Sequence, residues 1–262
     1  HKKEAQRDML ILCLMPICAS FISFAANLNF LVSTILFFGL PAAYLSYRTP
    51  FAIKRSLAFS GVVTLGLTFA EYYGELDQNW YVASMLPRVF GYIAIEAVIW
   101  GFLLTYFIVI FYEHFIDKGR HKDIGKGLKY LLVVLTCVFV LIFTLNNLNP
   151  TFTHYFYFKM GVLMILMPIV VLLIIFPKYM SMVIKITPYF FALGILNELT
   201  GVPKGYWTYP GSHLVGWVNI GSIRFPIEEV IFCMVLFTSA TILYLEFFDD
   251  NSARLPQRTL KK

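Results

Sequence analysis

Apolar runs of membrane-spanning length alternate with short polar stretches along the whole chain. The runs fall at 9–26, 30–47, 56–72, 90–112, 130–146, 158–176, 180–199 and 225–246. Each falls within the range of about 17–25 residues from which helices that cross a bilayer are built. The pattern predicts an all-α fold: a polytopic membrane helix bundle of eight transmembrane helices. The first run has a basic flank, like a cleaved leader, but it has a counterpart later in the chain and is expected to be a retained helix.

That counterpart belongs to an internal repeat. Under a shift of 127 positions Pro41 meets Pro168, Pro50 meets Pro177, Glu71 meets Glu198, Gly74 meets Gly201, and Trp80 meets Trp207. Beyond a length difference in the following loop the shift becomes 132. Ile95-Glu96-Ala97-Val98-Ile99 then meets Ile227-Glu228-Glu229-Val230-Ile231, and Tyr112 meets Tyr244. Matched Glu, Gly, Trp and Pro in order do not arise from apolar composition alone. The expected organisation is a four-helix repeat over 1–117, a basic linker over 118–129, a second four-helix repeat over 130–250, and a polar tail over 251–262. An even number of helices per copy makes the repeats parallel.

Composition narrows the class. Charged residues are 14% of the chain and apolar residues 59%, against about 25% charged in soluble domains. The net charge of +6 does not point to nucleic acid, because the bases lie in short loops and tails. With both termini on one side, all but Arg88, Lys159, Lys204 and Arg224 of the 21 lysines and arginines lie on that side. The positive-inside rule makes it the cytoplasm. The four cysteines all sit in apolar runs with no CxxC pair, so neither a disulfide framework nor a zinc site is expected. No histidine pair has metal-ligand spacing along the chain.

The candidate chemistry is a set of carboxyls near the ends of helices three, four, seven and eight: Glu71, Glu96, Glu198, Glu228 and Glu229. An ionisable group at membrane depth is costly and marks a functional site by default. The plainer reading is that each acid snorkels to the interface or starts a helix. Pro226 suits a first helical position, which puts Glu228 and Glu229 in the first turn. Neighbours on a helix point about 100° apart, so these two cannot both face one site squarely. An acid held in an apolar pocket can act as a general acid, and aromatic faces stabilise cations. Trp80, Tyr206 and Trp207 are the candidate aromatics; their plainer reading is an interfacial belt.

Pro226-Ile227-Glu228-Glu229, followed by Val230-Ile231-Phe232, resembles the Pro-x-Glu-Glu motif of the small membrane-integral lycopene cyclase domain, the type found in fused or heterodimeric carotenoid cyclases. Glu198, Gly201 and Trp207 are similar to that family's preceding acid, glycine and tryptophan. The resemblance spans roughly 197–232 and extends more weakly to the tandem first copy, which reads Ala94-Ile95-Glu96-Ala97 without the proline or the second acid. It implies closure of the linear ends of lycopene into β-rings by protonation and proton loss, with no net redox change and no flavin or other cofactor. The absence of a GxGxxG fingerprint fits this. In that reading Glu228 or Glu229 protonates the terminal double bond, and Glu198 or Glu96 removes a proton. Glu71 belongs to the same acid set, and Trp207, Tyr206, Trp80 and Pro226 line the substrate. The implied partners are membrane lipid, a hydrophobic polyene and an enzyme of the carotenoid pathway. A carotenoid hydratase, a non-catalytic carotenoid or lipid binder, and a small transporter remain as alternatives.

Overall fold

The computed structural model describes residues 2–119 and 125–249. The polar tail 251–262 and the middle of the basic linker lie outside the described residues. Within them the chain is a bundle of eight long helices: α1 (Lys2–Ala25), α2 (Phe30–Arg48), α3 (Ile53–Leu76), α4 (Ile95–Asp117), α5 (Leu128–Leu148), α6 (Phe156–Ile175), α7 (Pro177–Gly201) and α8 (Glu229–Phe248). All but α3 have the length and apolarity of a membrane span. Helix α3 has the same length but carries Lys54, Arg55, Glu71 and Glu75.

The apolar runs locate every helix. The starts of α4 and α8 lie a few residues later than predicted, for the same reason in both. A tight turn with a positive-φ glycine, Gly91 or Gly221, precedes each helix. Val89 bridges Ile93 in the first turn. In the second, strand β3 (Trp217–Ile220) pairs antiparallel with β4 (Ile223–Pro226).

Matched prolines shape matched helices. A π-helical turn at Ile35–Gly39 precedes Pro41 in α2, and one at Gly161–Leu166 precedes Pro168 in α6. Proline has no N–H to close the usual i→i−4 bond, so the ladder widens there. Pro50 and Pro177 each open a short 3-10 turn leading into α3 and α7. One π-helical stretch has no such twin among the described residues: Glu229–Leu236, the first two turns of α8, faces an α-helical start in α4.

Helices α4 and α8 are the centre of the bundle, each 56% buried against 17–44% for the other spans. The outer helices turn large apolar side chains outward, among them Phe21, Val140, Ile174 and Ile184. An outward apolar belt of this kind is what lipid contact requires. Polar groups inside pair across helices: Ser23 with Ser33 at 2.8 Å, Ser20 with Thr200 at 2.7 Å, and Thr187 with Ser239 at 3.0 Å.

The connections 77–94, 149–155 and 202–226 gather at one end of the bundle, the loop end. Two of them join through a short antiparallel ribbon between β1 (Tyr81–Val82) and β2 (Trp207–Thr208). Its register places Tyr81 opposite Thr208, and these two positions are also matched by the 127-residue shift. The ribbon is therefore centred on the local two-fold relation of the halves.

Candidate functional site

Below the ribbon lies a predominantly apolar cavity of about 260 Å³. Its wall along α8 runs from Glu229 to Tyr244, about 20 Å at helical rise. The shape is a slot along the bundle with its acids at the loop end: Glu71, Glu198 and Glu229.

The matched Glu-x2-Gly-x5-Trp segments build this end. Glu71 and Gly74 lie one turn apart on α3, as Glu198 and Gly201 do on α7. The tryptophan folds back over the glycine. A β-carbon added at Gly74 would sit 2.1 Å from the Trp80 ring, and one at Gly201 would sit 2.1 Å from the Trp207 ring. That close approach explains both glycines. The indole N–H then reaches the acid one turn earlier: Trp80 Nε1 donates to Glu71 Oε2 at 2.8 Å, and Trp207 Nε1 to Glu198 Oε2 at 3.1 Å. Each indole also packs edge-on against a ring of the other half, Trp80 against Tyr157 at 5.0 Å and Trp207 against Phe30 at 5.4 Å.

The halves then diverge. Around Glu198 the site is polar. Tyr209 O–H donates to Glu198 Oε1 at 3.0 Å, and Tyr157 O–H donates to Glu229 Oε2 at 2.6 Å. Burial pushes the Tyr209 phenol well above its ordinary range. It therefore stays a donor. In the first half the matched positions are Val82 for Tyr209, Phe30 for Tyr157 and Ala97 for Glu229, and all three also line the cavity. In place of the phenols, Glu71 has Glu75 as a neighbour one turn further along α3, and Glu75 in turn pairs with Arg88. One half places two carboxyl–phenol pairs on the cavity wall; the other places one acid there, Glu71.

Two of the predicted acids lie elsewhere. Glu96 turns to its own loop, accepting from Ser84 Oγ at 2.5 Å, Met85 N at 2.7 Å and Leu86 N at 2.8 Å. Its match Glu228, 1% exposed, accepts from Val215 N at 2.5 Å. Both tether the loop that precedes their helix, and neither lines the cavity. Tyr206 is likewise structural, donating to Leu28 O at 2.7 Å. Pro226 ends β4 instead of lining the slot. Trp80 and Trp207 do line it.

Sequence reading missed Tyr157, Tyr209 and Cys233 as site residues. Cys233 lies one turn after Glu229 on the cavity wall. The 127-residue shift holds a signal for the tyrosines, since each sits opposite an apolar residue of the first half. A separate cluster forms on the loops, where Asp77, His154 and His213 place ligand atoms within 4.8 Å of one another. Comparison with protein-family models, curated proteins and solved structures gave no match.

Proposed function

We propose that the chain is a carotenoid cyclase-like isomerase, closing a linear polyene end into a ring by acid–base chemistry in the membrane. The carrying observation is the slot itself: elongated, apolar, aromatic at its head, with Glu198 and Glu229 both lining that head. A long hydrocarbon suits the slot, and two carboxyls in one enclosed space suit a division of labour between proton donor and acceptor.

Glu229 is the donor. It adds a proton to the terminal double bond, leaving a tertiary cation. The electron pair of the next double bond attacks that carbon and closes a six-membered ring, moving the cation onto the ring. Glu198 already accepts a hydrogen bond on each oxygen, the arrangement of a proton acceptor. It takes a ring proton and leaves the new alkene. Product and substrate are isomers, and a proton passing back between the two acids resets the site. Trp80 and Trp207 present aromatic surface at the head of the slot, where a cation is stabilised by ring faces. Because the two carboxyl–phenol pairs belong to the second half alone, each passage through the slot closes one end.

Reaction in deuterium oxide tests the donor step. Cyclised product should carry one non-exchangeable deuterium per ring, while recovered linear substrate carries none. Product lacking deuterium would contradict protonation as the initiating event.

A further inference from the structure

We propose that Asp77, His154 and His213 form a binding site for a divalent transition metal of the zinc class, which clamps the loops over the cavity. The three ligands come from three connections: Asp77 from the end of α3, His154 from the α6 entry loop, and His213 from the long loop before β3. None lines the cavity, so the site is distinct from the acid set.

The donor set fits the metal. Imidazole nitrogen and carboxylate oxygen are zinc ligands at about 2.0–2.2 Å, which places ligand atoms about 3.3 Å apart around a tetrahedral ion. Here all three lie within 4.8 Å of one another, and His213 Nδ1 is 2.7 Å from Asp77 Oδ1. The two imidazoles stack with ring centres 4.0 Å apart and planes 19° apart. Rotation of each ring about its own side-chain bonds is the adjustment that binding an ion requires.

The surroundings hold the carboxylate as a ligand is held. Asp77 Oδ2 accepts from Asn79 Nδ2 at 2.9 Å and from Phe156 N at 3.1 Å, which aims Oδ1 at the histidines. Outer hydrogen bonds of this kind orient metal ligands. The backbone is also bent to bring the ligands in: Gln78, after Asp77, and Tyr155, after His154, are non-glycine residues at φ 57° and 58°. Such conformations cost free energy and persist where surrounding structure enforces them.

The clamp reaches the acids through two short links. Tyr157 N donates to Asn79 Oδ1 at 2.8 Å, and the same Tyr157 carries the hydroxyl that holds Glu229. Trp80, which holds Glu71, follows Asn79 directly. Metal at the three ligands therefore acts as a positioning device for Glu229 and Glu71, with water completing its coordination.

The test is Zn²⁺ titration of the purified full chain after chelator treatment, with Co²⁺ as a spectroscopic probe. The expected result is one ion per chain, a cobalt ligand-field band, and a higher melting temperature with Zn²⁺. His154→Ala, His213→Ala and Asp77→Asn should each weaken binding at least about tenfold, while His114→Ala, a histidine at the other end of the bundle, leaves it unchanged. The melting temperatures of the metal-free variants establish that they remain folded. No saturable uptake by the wild-type chain would overturn the proposal. So would uptake that survives both histidine substitutions.

Discussion

Under the proposed function, Glu229→Gln should abolish ring closure and Glu228→Gln should not. Removal of a positioned general acid costs roughly 10²–10⁴-fold in rate, so the first variant should fall to background. The substitution is nearly isosteric, and the amide oxygen still accepts the Tyr157 hydroxyl, bonded to Glu229 Oε2 at 2.6 Å. The loss therefore reports the missing proton and not a collapsed site. Glu198→Gln should cost a similar factor, since the amide is a poor base. Glu228 is the informative control. Its task is to accept the Val215 N–H, which a glutamine oxygen does as well, so activity stays within a few fold of wild type. Product analysis of the three variants, normalised to folded protein in membranes, checks the set. Activity lost in Glu228→Gln and retained in Glu229→Gln would place the acid outside the cavity and contradict the assignment.

Arg55→Met should lower the melting temperature of the bundle markedly. Arg55 Nη1 lies 2.7 Å from Glu113 Oε1, with the two side chains 1% and 0% exposed. The pair fastens α3 to α4 at the end away from the acids, and both residues take part in further interactions. Deleting one partner of a buried ion pair takes away a direct countercharge in a dry site and costs about 3–5 kcal/mol. For a chain of this size that lowers the melting temperature by about 10 °C. Combining Arg55→Met with Glu113→Leu removes both charges and should recover much of the loss. Melting of the two single variants and the double variant in detergent gives the coupling energy directly. A double variant no more stable than Arg55→Met would mean that the charges do not act as a pair.

The helices were legible because lipid imposes a simple pattern: a long apolar run per crossing, broken by loops. The head of the slot was legible because two copies of Glu-x2-Gly-x5-Trp carry one local geometry, and the structure places Glu71, Glu198, Trp80 and Trp207 in the same cavity. The repeat also misdirected the reading at Glu228. Its match with Glu96 gave it weight, yet both positions serve loop tethers, which each half needs. The cavity acid is the unmatched neighbour Glu229, opposite Ala97. The two residues lie about 100° apart on one turn, and the first-turn sequence does not say which direction is inward. Tyr157 and Tyr209 carry no motif of their own; they stand out only against Phe30 and Val82. The Asp77, His154 and His213 cluster comes from three separate loops, and periodicity along a chain holds no information on how its loops meet.

Ring closure by proton transfer from Glu229 is the step proposed for the slot. The most direct measurement is pigment chromatography with mass analysis on cells that accumulate lycopene and express this chain or its Glu229→Gln variant. A new ring-bearing product of the same mass as lycopene is expected from the wild-type chain, and lycopene alone from the variant. Unchanged lycopene in cells holding folded, membrane-inserted wild-type protein would contradict the proposal.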